Sequence, residues 1–362
     1  MLDGFKMNGF TVKQFQKPEY YKDFTSYVLG VDVGGTNTNI AIAGIKNQKP
    51  VLLFSLNFKS QEITSINYAI DESLKYTKNT QNIDVNYGCI GAAGVVSKNN
   101  NFATLTNVPW NIDCKDIIKK TSISEIFVVN DFQIIGYGIN HLDSSNQNDL
   151  IKIKKSKTIN DCHLTKAIIG AGTGLGKCIL SYDEELKSYV PLPSEGGSVD
   201  LPIYNDLEYE MMRYIQKKYK HTFPVTYEQV LSGVGLCNIY DFLKKSDRYK
   251  YKNIISVNTA DDISKYKSQD DCCHETFEIF IRFYARSIKN FILDTMALGG
   301  VYIAGGIAMK NLDLFNSEMF KDEIENTFQM GELLRNVPIF LISNYDVSLL
   351  GACFAANNKK KN

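Results

Sequence analysis

The chain reads as an α/β protein of two related lobes around a cleft, and two observations carry that reading. Apolar runs suited to buried strands alternate with longer amphipathic stretches, in the order strand, strand, strand, helix, and the order then repeats with variations. Twice, a strand runs into a Gly-Thr turn and a second apolar run follows at once. The first case is 28–33 into Gly34-Gly35-Thr36-Asn37 and then 40–43, and the second is 166–170 into Gly172-Thr173-Gly174 and then 178–180. Two hairpins of one design in one chain point to an internal duplication, with the two tips facing each other across the cleft.

In order along the chain, 27–33, 40–45 and 51–57 form a predicted three-stranded meander, 63–78 an amphipathic helix and 87–90 a buried strand. Another strand, 126–129, feeds a short helix after Asp131. Residues 143–162 are polar and lysine-rich, an excursion before the second hairpin opens a larger unit with long helices over 207–218, 235–245 and 275–298. A last strand, 339–342, precedes a helix over 347–356. The expected organisation is an N-terminal extension, 1–26, then a small α/β domain, 27–141, completed by a C-terminal helix within 345–362. The large α/β domain spans 142–344.

Composition excludes several classes. With 362 residues, 44% of them hydrophobic and 22% charged, the chain can bury two sizeable cores. Formal net charge is zero, so no electrostatic footprint for nucleic acid is present, and the run Lys359 to Lys361 reads as a solvated terminus. No apolar run approaches the roughly 18 residues of a membrane span, and 1–27 has no signal-peptide core, which makes a cytoplasmic location the expectation. Eight scattered cysteines without a C-x-x-C do not make a disulfide framework. Cys272-Cys273-His274 and Cys162-His163 place donors at adjacent positions that point apart, which favours bystanders over zinc ligands. With four histidines in the chain, a general base is expected to be a carboxylate.

The glycine turns carry the chemistry. Glycine lets backbone approach a ligand closely, and exposed N–H groups in such a turn suit phosphate. Thr36, Asn37 and Thr173 add side-chain donors, and 299–304 runs into a third turn, Gly305-Gly306. All three turns fall at strand ends, where ligands of α/β sheets sit. They are not the commoner phosphate motifs. A P-loop ending in Gly176-Lys177 needs Gly at 171 and Ser or Thr at 178, where Ala171 and Cys178 stand. Asn130-Asp131 also follows a strand directly. A carboxylate fixed there is placed to take a proton from a hydroxyl attacking phosphorus, and the alternative is that one of the two residues merely caps the helix. Glu195, beside Gly196-Gly197, and Glu228, before Ser232-Gly233, would suit a polyhydroxylated ligand, since a carboxylate accepts several hydroxyl hydrogen bonds.

In these segments the chain resembles the bacterial-type glucokinases of the sugar kinase, heat-shock chaperone and actin superfamily. Asp32-Val-Gly-Gly-Thr-Asn37, Thr106-Asn107-Val-Pro-Trp110, Asn130-Asp131-Phe132, Gly170 to Gly176, Glu195-Gly-Gly, Glu228 to Gly233 and Ala304-Gly-Gly306 stand in family order from about Val28 to Gly351. The resemblance implies two actin-like, ribonuclease-H-like lobes, each a mixed sheet flanked by helices. It implies ATP-dependent phosphorylation of glucose at the 6-hydroxyl, with Asp131 as the base and Asn107, Asn130, Glu195 and Glu228 holding the other hydroxyls. Gly34, Gly35, Thr36 and Asn37 with Gly172, Thr173 and Gly174 would hold the ATP phosphates, Gly305 and Gly306 would approach the adenosine, and Asp32 would face Mg²⁺ through water. Such kinases often form homodimers. Relatives carry histidine where this chain has Ser198, so residue 198 bears on the 2-hydroxyl side of the sugar, and a kinase for an N-acetylhexosamine or mannose is the alternative. The proline usual after the strand ending near Gly91 is absent. The chain lacks the cysteine-rich zinc motif and helix-turn-helix of the related repressors, which argues against a sugar-responsive repressor, and the intact Asp131 and three glycine turns argue against a non-catalytic sugar sensor.

Overall fold

The computed structural model describes residues 5–7, 9–105, 107–156, 163–246, 255 and 257–359. The chain divides into two compact units, one formed by Met1–Leu142, Asp183–Pro191 and Asn344–Asn362, the other by Asp143–Tyr182 and Leu192–Ser343.

The first unit is built on a seven-stranded sheet. Its order is Phe5–Met7, Phe10–Gln14, Lys49–Lys59, Asn37–Lys46, Tyr27–Val33, Tyr87–Ala92 and Glu125–Asn130. The meander is antiparallel, and its second turn is made by Asn47 and Gln48, both at positive φ, the geometry that matches strand twist in a tight hairpin. Tyr27–Val33, Tyr87–Ala92 and Glu125–Asn130 run parallel, the last reached through a small three-stranded sheet and the helix Cys114–Lys120. Within the N-terminal extension, Phe5–Met7 and Phe10–Gln14 add two strands to the sheet edge, with Thr11 to Gln14 paired to Phe54 to Asn57. The helix expected over 63–78 is Ile66–Gln81, because the Ser65 hydroxyl accepts the Tyr68 N–H and sets the start. The C-terminal helix, Val347–Lys359, lies against the sheet at Gly30 and against the helix Asp131–Gly138 at Gly138 and Gly351, so closely that none of the three leaves room for a Cβ. Lys359 ends this helix with its ammonium 4.3 Å from the centre of the Phe127 ring, while 360–361 lie outside the described residues.

The second sheet has six strands in the order Leu150–Lys154, Ile339–Ile342, Val301–Ala304, Lys166–Ala171, Leu175–Asp183 and Ser188–Ser194, all in the second unit except 183 and 188–191, which are grouped with the first. The lysine-rich excursion therefore contains an edge strand, Leu150–Lys154, antiparallel to Ile339–Ile342; residues 157–162 lie outside the described ones. Without the edge additions, both sheets have the same order of five strands: third, second, first, fourth, fifth, with the fourth and fifth parallel to the first. That shared order is what the two glycine hairpins signal in the sequence. The long helices are Asp206–Tyr219, Gly233–Lys245 and Asp271–Thr295. The last stops short of 298 because Met296 adopts the left-handed conformation. Cys272 and Cys273 are buried in its first turn, and no group of three His, Cys, Asp or Glu able to hold a metal exists among the described residues. Of the second adjacent pair, Cys162 lies outside the described residues and the His163 ring stacks on Tyr182 at 4.0 Å.

Candidate active-site residues

In the first unit, a hydrogen bond from Gly34 N to Asn37 O at 2.9 Å closes the hairpin tip. A neighbouring segment that sequence reading passed over braces it. Ser60 donates from Oγ to Gly34 O at 2.6 Å and from its N–H to Thr36 O at 3.0 Å, and Lys59 Nζ reaches Asn37 Oδ1 at 2.8 Å. Gln61 Nε2 donates to Gly35 O at 3.1 Å and to Asn107 O at 2.7 Å. A Cβ on Gly35 would stand 3.0 Å from that of Asn107, so the glycine is what lets Asn107 settle beside the tip. Thr106 lies outside the described residues. The one sequence signal for this brace is register: Lys59 pairs with Asn37, and Ser60 and Gln61 follow.

Val33, Ala92 and Asn130 share one register across three parallel strands, so the tip and Asn130-Asp131 leave the same sheet edge two strands apart, about 10 Å at strand spacing. Asn130 caps the helix Asp131–Gly138: its Oδ1 accepts Phe132 N–H at 2.8 Å, and Gln133 Oε1 accepts the Asn130 N–H at 3.2 Å. Asn130 is thus the cap, and its side-chain NH2 is what it can offer a ligand. Asp131 is the first helical residue, its Oδ1 accepting the Phe132 N–H at 3.0 Å at the positive end of the helix. Asp32, partly buried, accepts Ser348 Oγ at 2.6 Å; burial raises its pKa and the hydroxyl works against that rise.

In the second unit, Gly172 N donates to Gly174 O at 2.8 Å, and Gly172 O accepts from Gly233 N at 2.8 Å. Thr173 is exposed at this tip, as Thr36 is at the first. A Cβ on Gly172 would meet nothing within 4 Å, so protein packing does not require glycine there; one on Gly174 would stand 2.5 Å from Glu228 Oε2. That carboxylate oxygen accepts the Leu175 N–H at 2.9 Å, which leaves Oε1 to a ligand. Glu195 and Ser198 are exposed on a tight turn closed by Ser198 N to Glu195 O at 3.0 Å. Pairing of 199–201 with 225–227 brings that turn beside the one carrying Glu228. Gly197 packs on the Leu175 carbonyl. Gly305 has φ +98°, and a Cβ there would stand 2.6 Å from Ala171 O, because Gly170 and Ala304 pair on adjacent parallel strands. The third turn thus lies on the end of the second hairpin's first strand, while a Cβ on Gly306 would meet nothing within 4 Å.

A family model for glucokinase matches residues 29–359. The chain belongs to the glucokinase family. As a member it is a glucose kinase that uses ATP. This glucokinase-family chain is 29% identical over 348 residues to a glucokinase of Nostoc, covering 91% of this chain and 98% of the relative, and 28% identical to a glucokinase of Escherichia fergusonii at 91% and 96%. Among solved structures it is similar to a glucokinase from an Antarctic psychrotroph, with TM-score 0.76, 24% identity and coverage of 92% and 99%. It is also similar to a Balamuthia mandrillaris glucokinase in complex with glucose, with TM-score 0.77, 20% identity and coverage of 91% and 93%. At those identities the likeness to the solved structures is one of fold.

Proposed function

We propose that Asp131 is the general base of the glucose kinase, taking the proton of the 6-hydroxyl as its oxygen attacks the γ-phosphorus of ATP. The observation that carries this reading is the placement at the helix start: Asn130 supplies the cap, and Asp131 follows as the first helical residue at a strand end in register with the strand that leads into the first glycine tip. Asn107, Asn130, Glu195 and Glu228 hold the remaining hydroxyls, Asn130 through its NH2 and Glu228 through Oε1. Gly34 to Asn37 and Gly172 to Gly174 hold the phosphates, with backbone N–H groups stabilising developing charge, and Gly305-Gly306 lies by the adenosine. Asp32 fits a cation. It is a partly buried carboxylate with one hydroxyl donor, its pKa raised by desolvation, and a hydrated Mg²⁺ nearby would offset that cost and neutralise phosphate charge.

The protein is read as a cytoplasmic homodimer, consistent with the finding that no described helix is long and apolar enough to cross a membrane. A coupled assay of ADP release over a panel of hexoses tests the reading, with glucose the preferred acceptor; ADP release that does not depend on sugar would sink it. Exposed Ser198 favours a second reading in which 2-substituted hexoses are accepted, since a serine leaves room that a histidine would fill. Ser198→His is expected to raise the ratio of catalytic efficiencies for glucose over 2-deoxyglucose by up to about tenfold, one neutral hydrogen bond's worth. An unchanged ratio in a folded variant removes residue 198 from sugar selection.

A further inference from the structure

Lys177 is a buried charge with no task in the scheme above. It stands on Leu175–Asp183 opposite Ile169, 5% exposed, with its ammonium 5.0 Å from the ring centres of both Tyr227 and Phe291. Among the described residues it has neither an ion-pair partner nor a hydrogen-bond acceptor. Burial lowers its pKa to about 8, against the pull of Asp294. An apolar side chain of the same length would fill this pocket without the desolvation penalty of a charge, so packing does not explain a lysine.

What rests on Lys177 does explain one. A Cβ on Gly196 would stand 2.7 Å from Lys177 Cδ and 3.5 Å from Nζ, so the turn that follows Glu195 lies on the lysine stem. Tyr227, one face of the ring pair, directly precedes Glu228. Two residues back on the same strand, Leu175 holds Glu228 through its N–H and seats Gly197 on its carbonyl. We infer that Lys177 is a positioning residue for the sugar: its ammonium, held between Tyr227 and Phe291 under Gly196, braces the two turns that present Glu195 and Glu228. The inference rests on the proposed sugar role of those two carboxylates. Cation–π attraction of a desolvated lysine to two rings is strong enough to set loop geometry.

Steady-state kinetics of Lys177→Met and Lys177→Arg test it. Methionine keeps the stem and removes the charge. The expected result is a glucose KM raised about tenfold, with kcat and the ATP KM within about twofold and a melting temperature at or above that of the wild type. Arginine, which keeps the cation over the rings, is expected to recover most of the glucose KM. A methionine variant with unchanged glucose KM, or with both KM values raised together, overturns the inference. Should that variant fail to fold, the wild-type pH profile decides: the glucose KM should rise as pH passes about 8 while the ATP KM does not, and a flat profile counts against Lys177. The titratable groups acting on it are Asp294 and Tyr227, the latter pushed up to about 12 by burial and so outside that range. Failure of the sugar role of the two carboxylates looks different, as Glu195→Gln and Glu228→Gln variants that both keep the wild-type glucose KM.

Discussion

At the scale of single residues, Asn130 and Asp131 show how neighbours divide two roles that sequence left open between them. Both types favour the cap, and the backbone decides: Asn130 sits in the extended conformation before the helix, and Asp131 is already helical. Asp131→Asn should therefore fold as the wild type, bind glucose with affinity unchanged in calorimetry, and lose roughly a hundredfold or more in kcat; a kcat within a few-fold of wild type would return Asp131 to a structural role. The glycines of the second hairpin separate in the same way. A Cβ on Gly172 enters open space, so Gly172→Val should leave the melting temperature in place and raise the ATP KM well above any change in the glucose KM, as expected if nucleotide fills that space. A Cβ on Gly174 instead meets Glu228 Oε2, so Gly174→Ala should act mainly on the glucose KM. Equal effects of the two variants on both substrates would reduce the tip to an ordinary hairpin.

At the scale of elements, strand and helix existence was legible because periodicity is local, while several boundaries were set by single capping residues such as Ser65 and Met296. The strands before residue 27 were missed because short edge strands carry little pattern of their own; their pairing partner, Phe54 to Asn57, lies some forty residues away in sequence. Docking of the helix Val347–Lys359 depends on glycines read as ordinary residues. A Cβ on Gly351 would collide with the Ile134 carbonyl, and one on Gly138 with the Val347 carbonyl. Gly351→Ala is thus expected to destabilise the protein by about 1–3 kcal/mol, the usual cost of overpacking, seen as a lower denaturation midpoint in urea. An unchanged midpoint would mean the helix can shift at no cost.

At the scale of the whole molecule, stability should depend on a histidine that function does not use. His141 lies edge-on to Phe354 with ring centres 4.6 Å apart, its buried Nε2 has no partner, and desolvation, aided by Lys49, lowers its pKa to about 4. Because the folded value lies below the unfolded 6.5, the unfolded chain binds the extra proton between those values. This contribution is complete above pH 6.5 and is lost as pH falls toward 4, at most about 3 kcal/mol. Melting curves at pH 7 and pH 5 should show a larger drop for the wild type than for His141→Leu; equal drops would assign acid sensitivity to other groups.

The sequence by itself determined the glycine turns, the strand ends beneath them, the duplicated hairpin and the carboxylate after Asn130, because backbone freedom and hydrophobic period are written in neighbouring residues. Only the tertiary structure decided that Gln61 ties Asn107 to the first tip, that Glu228 leans on Leu175 from 53 residues away, and that Lys177 lies under the sugar turns. Those pairings follow from strand order and register, which join side chains that no local pattern relates.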